Sequence, residues 1–536
     1  MPGRISDRWL AVLLGAWAAF SIASIWLRPL WPVDETRYVS VAWEMWLRGD
    51  FLVPYVNGEP YSHKPPLLFW LIHLGWAVFG VNDWWPRLVG PLCAFASLPL
   101  LARLARLLWP EPREVPAYAT WVLFGTLLFA AFVTLTMFDL LLMLCVMVGM
   151  VGVLRASRGE RSAGFLWLGA GIGLGVLAKG PVILLHLLPV AVVAPWWAPA
   201  VRAASARWYL GLLGAVLLGA ALALAWALPA GYFGGEAFRR AIFWGQTAGR
   251  VAESFAHRAP WWYYLPLLPA ILFPWLIWPA LWRGLRAAGF GPENTGARFL
   301  AAWLVLTVVG FSFVSGKQVK YLVPMLPAFA LLAGYALAKL QPPARWWEIA
   351  LPAFGFLAMP AILAYARARP AALDLPDWTS SLPVWPIVVS ALACPLLLAF
   401  ARRNTLTQVR ALAFAILGAI AVIGAGIVPS IAPYGDPRPA AEYLAALQRQ
   451  GVPLAHLGKY HAQYNFAGRL REPIEILDSP ELNGWVAGQP RGRVIVVERK
   501  PHAGGALRPE YEAPFRGAWI QVWRGDALLA ARARPE

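Results

Sequence analysis

The sequence predicts an integral membrane, all-α protein of about 13 transmembrane helices, followed by a small C-terminal α/β domain. Of its 536 residues, 59% are hydrophobic and 14% are charged. Soluble domains are only roughly 45–50% apolar, so lipid is the expected surrounding of this chain. Apolar runs near the roughly 20 residues that cross a bilayer recur through residues 1–433, whereas residues 434–536 have ordinary polarity.

The transmembrane segments are predicted from length and composition alone. They cover 9–28, 84–108, 115–135, 137–155, 163–178, 181–197, 208–230, 261–283, 298–314, 321–340, 346–366, 383–401 and 409–430. The first run lacks a convincing cleavage site, so we expect a retained span and not a signal peptide. The apolar segment Pro65–Phe79 is short for a span and is predicted to lie on the membrane surface.

The distribution of positive charge predicts the orientation of the helices. The net charge is +18, which in a soluble protein suggests nucleic acid. Here Lys and Arg recur in small clusters between apolar runs, as they do in cytoplasmic loops, so no nucleic-acid partner is expected. If Pro65–Phe79 crossed the membrane, every later basic cluster would lie outside. The loop 29–83, the turns before Asp139, at Lys179 and at Lys317–Lys320, and the tail 434–536 are therefore predicted to be external.

The cysteines and the C-terminal tail give further information about how the chain is organised. Cys93, Cys145 and Cys394 each fall in an apolar run, which argues against a disulfide framework or a zinc cluster. In the tail, the runs 493–497 and 518–523 are typical of strands, and 440–450 is typical of a helix stopped by Gly451. These patterns predict an external α/β domain over 434–536.

The first external loop carries the residues with the clearest chemistry. Asp34 begins a predicted helix on which apolar residues recur at helical spacing, and that face suits a membrane surface. Asp34 is predicted to cap this helix and to pair with Arg37, and a capping Asp can also face a cleft. Further on, two prolines hold Tyr61, His63 and Lys64 beside the membrane. A solvated loop is the alternative for His63 and Lys64.

Several of these motifs occur together in one known group of proteins. The run Asp34-Glu-Thr-Arg-Tyr38, with Glu44-Met, Gly49–Pro54, Asn57-Gly, Tyr61 and Lys64-Pro-Pro-Leu67, resembles the bacterial lipid A aminoarabinose transferases. These belong with the protein O-mannosyltransferases in the C-type (GT-C) glycosyltransferase class. The similarity is specific over about 31–90, recurs in short pieces to about 335, and fades in the tail.

The resemblance implies both an activity and a site. The activity is inverting transfer of a sugar from an undecaprenyl-phosphate carrier to lipid A or another envelope acceptor, at the periplasmic face of the inner membrane. Asp34 and Asp139 match the catalytic acids. The groups that match the carrier-phosphate and pocket residues are Arg37, Tyr61, Lys64, Lys179, Arg258 and Tyr321. Fixed cations stabilise a departing phosphate, and all these residues fall on the external side.

For some of these residues a second interpretation stays open besides the role in the site. Lys179 equally suits a snorkelling side chain at a helix end, whereas a carboxylate such as Asp139 in an apolar run is costly unless it is paired or functional. In the resembled enzymes, a Glu before Lys-Pro-Pro and a His matching His257 are associated with a metal. Here His63 replaces that Glu. His63 and His257, with His461 as a third candidate, are thus a candidate site for a divalent metal ion, or simply polar loop residues.

Other activities compete with this interpretation. The expected partners are a polyprenyl-phosphate-linked sugar, membrane lipid, and a lipid A, glycan or protein acceptor. A protein O-mannosyltransferase-like activity is the alternative among enzymes. A transporter or flippase of lipid-linked sugars is the alternative of another class. Transporters usually place ionisable groups at the membrane midplane between two similar halves, and this sequence has neither feature.

Overall fold

A computed structural model describes residues 8–245, 258–502, 504 and 507–533. Most of the described chain is helical, and a five-stranded sheet lies near the C-terminus. The predicted fold class, a membrane-type helical protein with a small α/β domain, is confirmed. Cys93, Cys145 and Cys394 are buried and free, as expected.

The first half of the bundle contains thirteen helices with a short hairpin in the first loop. They are α1 Arg8–Leu27, α2 Asp34–Arg48, β1 Tyr55–Val56, β2 Glu59–Pro60, α3 Leu67–Phe79, α4 Trp84–Leu108, α5 Val115–Phe124, α6 Leu127–Phe132, α7 Phe138–Ser157, α8 Arg161–Lys179, α9 Ile183–Val192, α10 Ala194–Trp197, α11 Pro199–Arg202, α12 Ser205–Phe233 and α13 Gly235–Arg240.

The second half begins after the gap in the described residues. It comprises α14 Leu268–Ile271, α15 Pro279–Ala288, α16 Thr295–Phe313, a 3-10 helix Val319–Met325, α17 Leu326–Ala338, α18 Ala350–Gly355, α19 Ala358–Ala368, α20 Trp385–Ala391, α21 Ala393–Ala399, α22 Thr405–Val422 and α23 Val428–Ile431.

Within the described residues, nine helices are long and apolar enough to cross a membrane. Four shorter apolar helices accompany them, among them α5, α9 and the stretch Trp385–Ala399. The predicted span 261–283 is a series of turns and short helices and not one continuous helix. Pro266, Pro269 and Pro274 explain the difference, because each removes a backbone donor and obstructs the preceding turn.

The two helices of the first loop differ in how far their apolar side chains are covered by the rest of the protein. The helix α3 has 13 residues, a length of about 20 Å, which is too short for a bilayer core of about 30 Å. Its side chains Leu74, Val78 and Phe79 are exposed, as expected of a surface helix. The apolar face of α2 was predicted to suit the membrane surface, and this is wrong. Tyr38 and Val41 on that face are buried inside the protein because they pack on neighbouring helices.

The helices α7 and α8 form a tightly packed antiparallel hairpin. A Cβ on Gly152 would lie 2.6 Å from the Gly164 carbonyl oxygen, and one on Gly171 would lie 2.6 Å from the Gly149 nitrogen. Small residues at these crossings let the two backbones approach closely, as in many membrane helix pairs. The start of α7 and the end of α8 are consequently neighbours, which places Asp139 beside Lys179.

The C-terminal domain combines one sheet with three helices. Its elements are α24 Arg438–Arg449, β3 Leu454–Leu457, β4 Glu475–Leu477, α25 Leu482–Gly488, β5 Arg493–Glu498, β6 Tyr511–Phe515, β7 Ala518–Arg524 and α26 Gly525–Arg532. The strand order is β4-β3-β5-β7-β6, parallel across β4, β3 and β5 and antiparallel across β5, β7 and β6. The predicted strands and helix are confirmed, and Gly451 follows the helix with φ +69°. The boundary at 434 stays a prediction.

Candidate active site

Asp34 lies between two cations at the start of α2. Arg37 Nη2 donates to Asp34 Oδ1 at 2.6 Å, and Lys320 Nζ donates to Asp34 Oδ2 at 2.9 Å. The predicted pairing with Arg37 is confirmed, whereas the predicted helix cap is wrong. Val33 precedes the helix and Asp34 is its first residue, so no side-chain cap bond forms.

The charges around Asp34 favour its ionised form. Burial opposes ionisation, but Lys320, Arg37 and Lys64 together outweigh it and lower the pKa of the Asp34 carboxyl. Asp34 is therefore a carboxylate at neutral pH. Lys64, from the Lys-Pro-Pro turn, is close enough to act on that carboxylate, so these four residues form one cluster.

Asp139 and Lys179 form a second, buried ion pair. Lys179 Nζ lies 2.5 Å from Asp139 Oδ1, and only 7% of the Lys179 side chain and 2% of the Asp139 side chain are exposed. The snorkelling alternative for Lys179 is thus wrong, because the ammonium points into the protein. Buried charges of this kind persist only when paired or functional.

The two acid–cation groups are neighbours. Lys179 Nζ lies 5.0 Å from the ring centroid of Tyr321, and Tyr321 directly follows Lys320 in the 3-10 helix. Lys179 also interacts electrostatically with both Lys320 and Asp34. The 3-10 helix Val319–Met325 thus contributes Lys320 to the Asp34 carboxylate and Tyr321 to the cation that pairs with Asp139.

Aromatic side chains also lie between the Asp34 cluster and the Asp139–Lys179 pair. Tyr38 packs edge-on against Phe138 at 4.8 Å, and Lys64 Nζ lies 5.9 Å from the Phe138 ring centroid. Burial, and then the negative charge of Asp34, raise the pKa of Tyr38 well above its ordinary value, and Asp139 contributes in the same direction. The Tyr38 hydroxyl is therefore neutral, and the negative charges of both Asp34 and Asp139 act on it.

Tyr61 and His63 occupy the rim of the cluster. Burial tends to lower the pKa of Arg37, but Tyr61, Tyr38 and Asp34 outweigh it and raise that pKa. The rings of Tyr61 and His63 are 5.3 Å apart, and His63 is exposed whereas Tyr61 is buried. The predicted pocket role of Tyr61 is therefore consistent with its position beside Arg37, and it stays a prediction.

Arg258 lies beside the turn that leads to Lys320. It pairs with Gly316 in an antiparallel bridge, and Lys317 Nζ donates to the neighbouring Ala259 carbonyl at 2.9 Å. The Tyr264 hydroxyl donates to the Gln318 carbonyl at 3.3 Å. These contacts attach the segment around Arg258 to the 315–318 turn, two residues before Lys320, and the Arg258 side chain is exposed.

Glu35, which no sequence pattern indicated, anchors the first loop. Its carboxylate accepts two bonds from Arg28, at 2.5 and 3.0 Å, and one each from the N–H groups of Trp31 at 3.0 Å and Thr136 at 2.6 Å. Burial opposes ionisation, yet Arg28 and these N–H groups lower the pKa of Glu35. Because Thr136 lies three residues before Asp139, this network fixes the distance between the two acids.

Lys320 was missed as well. The sequence predicts that the Lys317–Lys320 turn lies on the same side of the membrane as Asp34, and this was the available signal for a role of Lys320 in the site. Nothing local indicated that one of its cations reaches Asp34, because the contact depends on the packing of distant helices.

The metal site stays a prediction. His257 lies outside the described residues, and no group of three potential His, Cys, Asp or Glu ligands occurs among those that are described. His63 alone cannot complete a coordination sphere, so no chemistry is assigned to a metal here.

Several known proteins are similar to this chain. A family model described as dolichyl-phosphate-mannose-protein mannosyltransferase matches residues 63–232. The undecaprenyl phosphate-alpha-4-amino-4-deoxy-L-arabinose arabinosyl transferase 2 of Pseudomonas fluorescens Pf0-1 is 34% identical over 352 residues, 62% of this chain. A transferase of the same name from Pseudomonas aeruginosa PAO1 is 35% identical over 337 residues, 61% of this chain. The chain spans only 60% and 59% of the lengths of these relatives.

Solved structures establish the fold. The crystal structure of ArnT from Cupriavidus metallidurans bound to undecaprenyl phosphate superimposes with a TM-score of 0.73 at 21% identity, covering 96% of this chain and 98% of that one. The apo state of the same protein also gives a TM-score of 0.73. The fold is thus that of the C-type membrane glycosyltransferases. The predicted resemblance to the aminoarabinose transferases is confirmed, and the chain is a multi-pass membrane protein.

Proposed function

We propose that this protein is an inverting glycosyltransferase that moves a sugar from an undecaprenyl-phosphate carrier to lipid A or another envelope acceptor. One observation carries the proposal. Two carboxylates, Asp34 and Asp139, each pair with a cation from another part of the chain, Lys320 and Lys179 respectively, and the charges of both act on Tyr38. The names of the similar transferases and the ArnT complex with undecaprenyl phosphate support the donor class.

The cations suit the departure of a lipid phosphate. As the bond between the anomeric carbon and the phosphate oxygen breaks, that oxygen gains negative charge. Lys64, Lys179 and Arg258 are the proposed donors of charge-assisted hydrogen bonds to it. Tyr61 and Tyr321 are proposed to border the same pocket. Fixed donors stabilise the developing charge without reorganising, particularly where little water enters.

Asp34 is suited to assist the attack by the acceptor oxygen, which is the other half of the reaction. An acceptor oxygen attacks the anomeric carbon on the face opposite the phosphate, which inverts the configuration. An acceptor hydroxyl loses its proton to Asp34 in this step, whereas an acceptor phosphate arrives ionised and needs only orientation. Each Asp34 oxygen accepts one bond from a cation and keeps a further lone pair that can take the proton. Asp139 is proposed to hold Lys179 in place.

The proposed location is the bacterial inner membrane, with the site and the C-terminal domain on the periplasmic side. The basic clusters alternate with the apolar runs and mark the opposite side as cytoplasmic. We retain His63 and His257 as proposed ligands of a divalent ion that would orient the first loop, and no step depends on it.

The experiment that tests the function compares a deletion strain with its parent. Mass spectrometry of lipid A and envelope glycans should show loss of one sugar substituent in the mutant, restored by the wild-type gene and not by Asp34→Asn. A sugar lost from proteins instead would favour the mannosyltransferase-like alternative, which the family match over 63–232 supports. The deletion strain could instead accumulate carrier on the cytoplasmic face while its detergent extract still transfers the sugar. That result would identify the protein as a flippase and contradict the proposal.

A further inference from the structure

A cleft of about 500 Å³ lies between α1, the helix pair α20–α21 and α22. One face of α22 lines it, with Ala411, Ala415 and Gly418 at helical spacing. A Cβ on Gly418 would meet no neighbouring atom of the described residues within 4 Å, so the cleft is open beside this residue. Leu396 and Phe400 also line the cleft and are themselves exposed. Because α20–α22 belong to apolar segments within the membrane, the cleft opens toward lipid.

The cleft begins at the end of the bundle opposite to Asp34. The helix α1 has 20 residues and is therefore about 30 Å long, and its C-terminal end leads to Asp34. Trp9 at its N-terminal end lines the cleft, together with Arg410 near the start of α22. Beyond the other end of α22, a Cβ on Gly424 would lie 3.1 Å from the Phe20 ring. The helices α1 and α22 therefore run in the same direction, and the cleft begins at their N-terminal ends, which are predicted to be cytoplasmic.

Polar side chains occur where the cleft begins. Thr407 and Arg410 both line it, about one turn apart on the same face of α22. The guanidinium carbon of Arg410 lies 5.9 Å from the ring centroid of Trp121, a buried residue of α5. An arginine in an apolar segment is costly unless it has a partner or a function, and its long side chain reaches toward the membrane surface. This end of the cleft therefore offers a cation and a hydroxyl group to a ligand.

Further arginines surround the same end of the cleft. Arg8 Cζ lies 5.7 Å from the ring centroid of Trp9, which lines the cleft. Arg402 and Arg403 are exposed in the loop that joins α21 to α22. The segment 400–411 contains arginines and no Asp or Glu. The cleft thus combines an apolar interior with a positively charged entrance.

An anionic phospholipid has the matching chemistry. Its acyl chains suit the apolar interior, and its phosphate suits the arginines at the entrance. Basic pockets between membrane helices on the cytoplasmic side bind anionic head groups in this way. The polyprenyl carrier is also a lipid phosphate, but its phosphate has to reach the cations around Asp34, about 30 Å from this entrance. The chemistry and the position of the entrance therefore favour a phospholipid over the carrier.

We propose that this cleft binds one anionic phospholipid of the cytoplasmic leaflet, with an acyl chain along α22 and the phosphate at Thr407 and Arg410. The lipid fills the open space beside Gly418 and connects α1 to α20–α22. A ligand that binds only the folded protein stabilises it, so this lipid should raise the Tm. The inference is independent of the proposed function, because the residues of the cleft are not those of the candidate active site.

The test measures lipid binding to the full-length protein in detergent by native mass spectrometry, and the Tm of the same samples. The probes are phosphatidylglycerol and phosphatidylcholine with the same acyl chains. Phosphatidylglycerol should bind more tightly and raise the Tm more, because only its head group carries a net negative charge. Arg410→Gln removes a charge-assisted contact and should weaken phosphatidylglycerol binding about ten- to a hundred-fold. Gly418→Leu fills the open space and should weaken the binding of both lipids, because it excludes the acyl chain.

Matched control variants lie on α12, whose residues are not part of the cleft lining. Arg207→Gln removes an exposed arginine near the start of α12, as Arg410→Gln does on α22. Gly214→Leu adds a side chain where a Cβ likewise meets no neighbouring atom of the described residues. Both controls should bind the two lipids as wild type does. The Tm without added lipid identifies any variant that misfolds, and the comparison of the two lipids on wild type needs no variant.

Three results would contradict the proposal. Equal affinity of wild type for the two phospholipids would overturn the recognition of an anionic head group. Wild-type affinity for phosphatidylglycerol in both Arg410→Gln and Gly418→Leu would place the lipid elsewhere on the protein, and an effect of only one of these variants would contradict the position assigned to the other end of the lipid. Displacement of bound phosphatidylglycerol by undecaprenyl phosphate would assign the cleft to the carrier lipid instead.

Discussion

Lys320 Nζ and Asp34 Oδ2 lie 2.9 Å apart, although 286 positions separate the two residues in the chain. With Arg37 on its other oxygen, the Asp34 carboxylate binds a cation on each side. This arrangement lowers the basicity of Asp34 and fixes its orientation. Lys320 is thus a positioning residue for the proposed base, and its removal should change the pH dependence of the reaction.

The variant Lys320→Met should shift the acidic limb of the rate profile to higher pH. Lys320 contributes most to lowering the pKa of Asp34, against the effect of burial, so its loss raises that pKa. Transfer to a hydroxyl requires ionised Asp34, so the rate falls as pH drops through this pKa. The measurement is kcat/KM against pH in proteoliposomes. Lys339→Met, at an exposed cation in a loop predicted to be cytoplasmic, serves as the control, and an unmoved limb in Lys320→Met would contradict the coupling.

The variant Asp34→Asn should reveal the chemical nature of the acceptor. A positioned carboxylate that accepts a proton contributes about 10²–10⁴ in rate. With a hydroxyl acceptor, we expect a loss of that size in single-turnover transfer from a labelled carrier. With a phosphate acceptor, the loss should be smaller and should arise from unpaired Arg37 and Lys320. Glu111→Gln, at an exposed acid paired with Arg113, controls for expression. Unchanged turnover would remove Asp34 from the site.

The variant Lys64→Ala should weaken use of the donor. A charge-assisted hydrogen bond to phosphate contributes about 1.5–3 kcal/mol, which corresponds to roughly a ten- to hundred-fold loss. The measurement is the dependence of the initial rate on donor concentration, compared with Lys339→Ala. Donor kinetics equal to wild type would contradict the assignment of Lys64.

The variant Glu35→Ala should destabilise the fold more than it alters the chemistry. It leaves Arg28 buried without its carboxylate, and breaking a buried pair in this way costs about 3–5 kcal/mol. We expect a lower Tm of the detergent-solubilised protein, and partial recovery in the double variant Arg28→Met/Glu35→Gln, which removes the charge and keeps an acceptor oxygen. A Tm equal to that of wild type would show that the network is dispensable.

The orientation is testable because the three native cysteines are buried. A cysteine introduced at the exposed Lys500 should react with a membrane-impermeant thiol reagent in intact spheroplasts. A cysteine at Arg113, in a predicted cytoplasmic loop, should react only after lysis. The reverse pattern would place the tail in the cytoplasm and would contradict the periplasmic site.

Much of the architecture could be predicted because its signals are local. Apolar length defines α7 and α8, and the distribution of Arg and Lys places Asp139 and Lys179 at the same end. Their pairing needed one further fact, the close hairpin, which follows from glycines whose role is visible only in three dimensions. The Lys320 contact and the Glu35 network join segments about 100 to 290 positions apart, so no local pattern contains them.

The error at Asp34 has a simple cause. The sequence placed the start of the helix one residue too late, so Asp34 was predicted as a cap. The shift is small, yet it changes the side chain's partner from its own backbone to Lys320. Boundary errors of one residue are common, and at a helix start they alter chemistry as well as geometry.

The glycine seam between α7 and α8 also has a mechanical consequence. A Cβ at Gly152 or Gly171 would meet the backbone of the other helix, so the two helices are in direct backbone contact along this seam, and we expect them to move as one rigid body. Substrate entry and product exit therefore require motion elsewhere. Asp139 and Lys179, at the joined ends of these two helices, should then keep the same separation while substrate enters and product leaves.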